Sequence, residues 1–427
     1  MVVPAPRLPR ARHERVGRRL RARSRRAARP SGRVLRGEVE GGSHVRRGCR
    51  DGGRREAASC SVGGGRLAGC ASRARRPRGV VRRDRGPGRE VGAAVHPYLG
   101  KFIPQLVDVL LARYFRPGQH VLDPFAGSGT TLVQALESGL DATGVDVAAF
   151  NCLLMEVKTR TYNPFILEQD LRSAHARIGE TTGERPSAYV RRWYAPQAAR
   201  ELIGFRALVD DYEHADVLRV VLARAARSAR RTTHFDLDFP RDPQLEPYWC
   251  HKHRRECRPV DTAAQFLRRY TLDTLARLKA FARVRARGCT ASVIHGDVRE
   301  VALGRFAGVL TSPPYPGLID YHEQHRYAYE LLALDDRREL EVGAAAAGTS
   351  RAALAAYSDG IVAALINAKE SVARSAPFVI VVNDRRDLYP EILERAGLRL
   401  EQRLRRHVNR RTGRRAGEFF EDVLIAR

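Results

Sequence analysis

Two short runs carry residue types that could do chemistry. Thr311-Ser312-Pro313-Pro314-Tyr315-Pro316-Gly317 follows the apolar stretch "FAGVL". Consecutive prolines fix φ at both positions, so the carbonyls of Ser312 and Pro313 point in set directions. A rigid carbonyl beside a side-chain acceptor makes a receptor for an –NH2 group. Accepting both amine protons localises the nitrogen lone pair, which turns a weak exocyclic amine into a nucleophile for an in-line displacement aided by orientation. Tyr315 offers an aromatic face to a planar base taken out of its stack. On its own the run is a stiff loop at a strand end, and a second run changes its weight.

That second run is Asp123-Pro124-Phe125-Ala126-Gly127-Ser128-Gly129-Thr130-Thr131, placed between an apolar "HVLD" and a helical pattern. A G-x-G here lets a ligand approach the backbone closely. No Lys follows the glycines, which excludes a phosphate-cradling P-loop. The third glycine of the dinucleotide fingerprint is missing, and Asp123 would repel a pyrophosphate. A carboxylate at that strand end suits a ligand with an amino group and a sulfonium, such as S-adenosylmethionine. Asp146 ends the next strand and is placed either to bind ribose hydroxyls or to cap the following helix.

The elements that must hold these runs read as α/β. "IPQLVDVLLARYF" is helical in pattern, and "HVLDPF", "TTLVQALESG" and "DATGVDV" form a β-turn-α-β unit closed by Gly139. "ASVIHGDV", "FAGVL" and "APFVIVVND" read as further strands. The last 30 residues read as two strands joined by a basic turn. The expectation is a doubly wound, mostly parallel sheet with a C-terminal antiparallel hairpin. Residues 93–160 and 291–427 would form the catalytic domain, and 161–290 a largely helical insertion.

The net charge of +28 in 427 residues suggests a polyanion partner, but it is unevenly placed. Residues 1–90 hold 27 Arg and no Lys against 7 acids, a surplus of 20, and contain no Phe, Trp, Tyr or Ile. Segment 1–92 therefore reads as a disordered tail that cannot offset its ordering entropy. It is a nucleic-acid-binding arm, a transit peptide, or translation from upstream of the true start; the last is preferred because composition changes sharply near Val91–His96. No apolar run is long enough to span a membrane. The seven cysteines show no paired framework, which points to a reducing, cytoplasmic setting. In the insertion, Arg224, Arg227, Arg230 and Arg231 read either as phosphate contacts or as a solvated helix face.

"YWCHKHRRECRP" packs Cys250, His251, His253 and Cys257 into eight residues. Zinc is weighed here, but the spacing is not that of a C-x2-C knuckle, so two reduced structural cysteines are preferred and no metal is assigned. His322 and Glu323 do not form H-E-x-x-H, because position 326 is Arg. Tyr321 and Arg326 are candidates for a base pocket or the DNA face, and "NDRRD" (383–387) for the pocket rim or for a plain turn.

Together the two runs resemble the amino-methyltransferases that methylate exocyclic nitrogens of DNA bases, cytosine N4 or adenine N6. "DPFAGSGTT" is similar to their S-adenosylmethionine motif, and "TSPPY" to their catalytic (D/N/S)-P-P-(Y/F) tetrapeptide, Ser312 to Tyr315. "HPYLGKFIP" resembles their upstream cofactor motif, carrying over Lys101, Phe102 and Pro104. "HGDV" resembles the segment that puts an acid, here Asp297, near the cofactor's adenine. The resemblance covers about 96–160 and 291–427. It implies a Rossmann-like methyltransferase fold, S-adenosylmethionine as cofactor, double-stranded DNA as partner, and a restriction endonuclease encoded nearby. It also makes 161–290 the candidate target-recognition subdomain. Ser first in the tetrapeptide favours cytosine N4. Adenine N6, an RNA base, or an inactive nucleic-acid-binding protein are the alternatives.

Overall fold

Both chemistry-bearing loops leave strands that lie side by side. The computed structural model describes residues 95–96, 102–180, 182–234, 236, 240–408 and 419–427. Helix α1 (Pro104–Tyr114) is followed by β1 (His120–Asp123), α2 (Thr130–Ser138), β2 (Asp141–Asp146) and α3 (Ala149–Thr159). Then come α4 (Pro164–Ala176), α5 (Ala188–Trp193), α6 (Pro196–Val209), α7 (Ala215–Ala229), the short strands β3 (Tyr248–Cys250) and β4 (Arg255–Cys257), and α8 (Ala264–Val284). The sheet resumes with β5 (Ala291–His295) and β6 (Gly308–Thr311), followed by α9 (Tyr321–Gln324), α10 (Arg326–Leu332) and α11 (Arg351–Glu370). β7 (Phe378–Val382), α12 (Tyr389–Arg395), β8 (Leu400–Val408) and β9 (Phe419–Ala426) complete the chain.

The main sheet runs β5-β2-β1-β6-β7-β9-β8. β5, β2, β1, β6 and β7 are parallel. β9 returns antiparallel between β7 and β8, as the C-terminal hairpin reading expects. The insertion enters between β2 and β5 and carries α4 to α8 with the β3-β4 hairpin. The basic turn between β8 and β9, the 1–92 tail and Lys101 lie outside the described residues.

Alternation along each central strand builds two apolar layers. Val121, Leu310, Val379 and Val381 pack with Val107 and Leu111 of α1 and Leu132 of α2. Leu122, Val309, Phe378, Ile380 and Val382 face Ile361 and Leu365 of α11 and Ile392 of α12. All five residues of β7 are buried, as a strand covered on both faces requires.

Helix α3 belongs to both halves of the molecule. Its Cys152 and Met155 face the sheet, while Phe150, Leu154 and Val157 join a third core with α4, α6, α7, α8 and α10. Polar groups lock that helical layer. Glu201 of α6 accepts from the backbone N–H groups of Ala263 (2.6 Å) and Ala264 (2.8 Å), an acid placed at the start of α8, where the helix dipole favours it. Two of the arginines read as phosphate contacts are interior instead. Arg224 is 5% exposed, bonds Thr274 (2.6 Å) and Asp273 (2.5 Å), and lies over the Tyr270 ring. Arg230 is buried over Tyr327. Their planar heads join helices, so the basic count of this stretch overstates its charged surface.

Candidate active site

β1 and β6 pair at Val121–Gly308 and Leu122–Val309. From β1 the chain winds outward through β2 to β5, and from β6 outward to β7, so its direction reverses between these two strands. Beyond the carboxyl ends of parallel strands, such a reversal opens a crevice. Here it holds a cavity of about 90 Å3 that opens to solvent.

The glycine turn forms one wall. Gly127 and Gly129 have φ of 52° and 78°, values that a side chain opposes. A Cβ on Gly129 would also come within 2.7 Å of Met155 Cγ. Three anchors fix the turn. The N–H of Ala126 donates to the Val145 carbonyl (3.1 Å), that of Gly127 to Asp146 (2.8 Å), and the buried Lys158 donates through Nζ to the Ser128 carbonyl (2.5 Å).

The acids differ in their commitments. Asp123 is 2% exposed and accepts from Thr311 Oγ1 (2.6 Å) and the Phe125 N–H (3.2 Å). One bond thus ties the end of β1 to the end of β6. Asp146 accepts from Gly127 with one oxygen, and from the Ala148 N–H (2.9 Å) and Asn151 Nδ2 (3.0 Å) with the other. It therefore braces the turn and the start of α3 together, and the oxygen that accepts from Gly127 keeps acceptor capacity. Burial pushes both carboxyls up to about 6. Asp297 is gripped by Arg299 Nε at 2.8 Å on both oxygens. Burial works against its charge, but the Arg299 hydrogen bonds prevail and hold its carboxyl below the usual range.

The structure brings most of the expected residues to this cavity. Phe102, Asp123, Pro124, Phe125, Ala126, Gly127, Ser128, Thr130, Asp146, Asp297, Ser312 and Pro314 line it. Gly129 caps the start of α2, and Pro104 starts α1 as its first residue; neither is among the lining residues, nor are Pro313 and Tyr315. The Tyr315 ring is half-buried against the α11 side of the sheet. Its hydroxyl donates to Glu421 of β9 (3.5 Å) and also pairs with the Ser312 side chain. The Pro314 carbonyl is taken by the Tyr357 hydroxyl (3.0 Å), which bonds Tyr389 in turn (2.9 Å).

Tyr321, a candidate from the sequence, lines the cavity too, whereas Asn151, Leu340, Glu341 and Val342 had no signal there. Glu341 accepts from the backbone N–H groups of Tyr321 (3.2 Å) and His322 (2.8 Å) and pairs with His322 Nδ1. It pins the segment after the proline loop over the cavity. Arg326 points elsewhere, pairing with Glu323 and Glu330. In "NDRRD", Asp384 accepts from the N–H groups of Leu388 (2.8 Å) and Tyr389 (3.1 Å), so that stretch is a turn that starts α12.

A DNA methylase family model matches residues 87–156. The Type II methyltransferase M.MjaII of Methanocaldococcus jannaschii is 34% identical over 77% of this chain and 79% of its own length. The chain belongs to the DNA amino-methyltransferase family. A second relative of this methyltransferase, the Type II methyltransferase M.MvaI of Kocuria varians, is 31% identical over 22% of this chain and 21% of its own. Among solved structures, the rRNA methyltransferase aviRa of Streptomyces viridochromogenes aligns over 80% of this chain and 94% of its own, at 14% identity and a TM-score of 0.32. That likeness is too low to add to the strand order. The methyltransferase uses S-adenosylmethionine, and the cavity suits it: a turn that admits close approach, and buried acids at successive strand ends. No described helix is long and apolar enough to cross a membrane.

Proposed function

We propose that this methyltransferase transfers a methyl group to N4 of cytosine at a specific site in double-stranded DNA. The observation that carries the reading is the junction of β1 and β6, where Ser312-Pro313-Pro314-Tyr315 stands beside the glycine turn, tied to it by the bond from Thr311 to Asp123. Asp123 faces the amino and sulfonium end of the cofactor, Asp146 the ribose and Asp297 the adenine. Gly127 with its neighbours from Pro124 to Thr130 admits the chain between them. Phe102 closes one side, with Pro104 fixing the start of α1 and Lys101 completing the upstream motif.

Bound S-adenosylmethionine supplies a methyl group on a positively charged sulfur, which keeps the C–S electron pair as the methyl leaves. The rest falls to the chain. Ser312 Oγ and the Pro313 carbonyl accept the two amine protons, and the localised nitrogen lone pair forms the new N–C bond. With the Tyr315 hydroxyl donating to Glu421, the Ser312 hydroxyl can donate to Tyr315 Oη and keep its lone pairs for the amine. The methylated nitrogen then releases one proton to solvent water, which restores its neutrality. Pro314 holds the loop rigid, and the Tyr315 ring stacks on the flipped base. The helical segment 161–290 reads the target sequence, and a nearby restriction endonuclease is the expected genetic companion.

The test is transfer of tritium from labelled S-adenosylmethionine to duplex DNA, followed by digestion and chromatography of the nucleosides. Label in N4-methylcytosine is expected. Label in N6-methyladenine sinks the cytosine assignment, label in RNA replaces the DNA reading, and no label in any acceptor ends both.

A further inference from the structure

We propose that His234, Cys250, His253 and Cys257 bind one structural zinc ion. The four residues come from two separate stretches, and their candidate ligand atoms all lie within 4.8 Å of one another. His234 was absent from the sequence reading because it precedes the cysteine run by 16 residues. His251, inside that run, is not one of the four.

The separations fit a tetrahedral ion. Zn–S bonds of ~2.3 Å and Zn–N bonds of ~2.0–2.1 Å at tetrahedral angles place S and N about 3.5 Å apart. The structure has Cys250 Sγ at 3.5 Å from His234 Nδ1 and 3.6 Å from His253 Nδ1, and Cys257 Sγ at 3.5 Å from His253 Nδ1. Ordinary hydrogen bonds explain this less well. Two thiols converge on the same His253 nitrogen, which has one lone pair or one proton to share. A central cation satisfies every group at once. The backbone N–H of His234 donates to Tyr248 Oη (2.9 Å), which holds this stretch beside the hairpin.

Packing points the same way. β3 and β4 are three residues each and pair only with one another, and an isolated hairpin of that size is marginal in water. Cys250 and Cys257 are buried yet lie in none of the apolar clusters of the described residues. The larger apolar side chains nearby turn outward, with Trp249 61% and Leu245 58% exposed. Burial of apolar area alone would choose the opposite arrangement. An ion serves as the core of such a module. With four protein ligands the site is closed, hence structural rather than catalytic. It would hold Trp249 and the basic turn from Lys252 to Arg255 in one geometry.

Elemental analysis of the full chain, purified without chelator and with zinc in the growth medium, tests this. About one zinc per chain is expected. After exchange with cobalt, the thiolate charge-transfer and visible bands of a tetrahedral site should appear. His234→Ala, Cys250→Ser and Cys257→Ser should lose the metal, while His251→Ala and Cys289→Ser retain it. Wild-type protein with neither zinc nor cobalt bands overturns the proposal. So does a Cys250–Cys257 disulfide in protein kept reduced, or a zinc content that depends on His251 and not on His234. Should the cysteine variants fail to fold, the cobalt spectrum of the wild type and the two histidine variants still decide.

Discussion

The cofactor cavity and the helical layer over α3 are both polar where it matters, but they place their polar groups differently. In the cavity, Asp146 serves groups close by in the chain, Gly127, Ala148 and Asn151 at separations of 19, 2 and 5 residues, and the long tie is the one from Thr311 to Asp123. In the helical layer, side chains join helices far apart in sequence. Arg224 meets Asp273 and Thr274 across 49 and 50 residues, and Glu201 meets Ala263 across 62. The first arrangement shapes a loop for a ligand, and the second fixes how helices dock. Substitutions in the cavity should therefore damage chemistry with little loss of stability, and those in the layer the reverse.

The sharpest way to break that contrast is Pro313→Ala. Freeing φ at this position lets the acceptor carbonyl wander, and misdirecting one preorganised group costs about 10²–10³-fold in turnover. Cofactor affinity, read by titration calorimetry, should stay within about twofold of wild type, because the Pro313 side chain is not part of the cavity wall. A matching fall in both quantities would show that the proline loop and the glycine turn are one unit.

Gly127→Val should do the opposite. A β-branched residue at φ 52° carries strain of roughly 1–3 kcal/mol and sets its methyl groups against the ligand, so affinity for the cofactor should fall about 100-fold. The melting temperature should fall far less than in a core truncation. Unchanged cofactor affinity would remove the glycine turn from the binding site.

This contrast also explains what the sequence could tell. Asp123, Gly127 and Ser312 were legible because each motif is contiguous and ends a strand, and strand adjacency then delivered them to one crevice. Glu341 was not legible: it lies in a loop without pattern, and it reaches the cavity through bonds to Tyr321 and His322. Arg224 and Arg230 misled for a related reason. Periodicity marks helices, but it does not say which long cationic stem folds inward over an aromatic ring. The His234 contribution was hidden by the 16 residues that separate it from Cys250.

Acidity offers a gentler probe of the cavity. Asp123 and Asp146 titrate near 6 in the folded protein, above the ~3.9 of an unfolded aspartate. The folded state therefore holds these protons more tightly, and the cofactor-free fold gains stability from these two groups as pH falls from 7 toward 4. On the proposed roles cofactor binding uses the ionised forms, so affinity should be full well above pH 6 and fall through and below it, by up to about tenfold per pH unit for each carboxylate that must ionise. Asp146→Asn should flatten the profile by removing one of the two groups. A pH-independent dissociation constant between pH 5 and 7 would mean that neither acid touches the ligand.

Arg224→Met should have the smallest effect on transfer and the clearest effect on stability. The substitution keeps much of the aliphatic stem but removes the guanidinium from Tyr270, strips Thr274 of its partner and leaves Asp273 with Arg277. Removing one member of a fully buried pair costs about 3–5 kcal/mol, and since Asp273 is 33% exposed, about 2 kcal/mol is the reasonable expectation here. Urea unfolding should show that loss, while turnover per folded molecule and the salt dependence of DNA binding stay as in wild type. A changed salt slope would return Arg224 to the DNA face. An unchanged slope with lost stability leaves Arg224 where the packing puts it, joining α7 to α8.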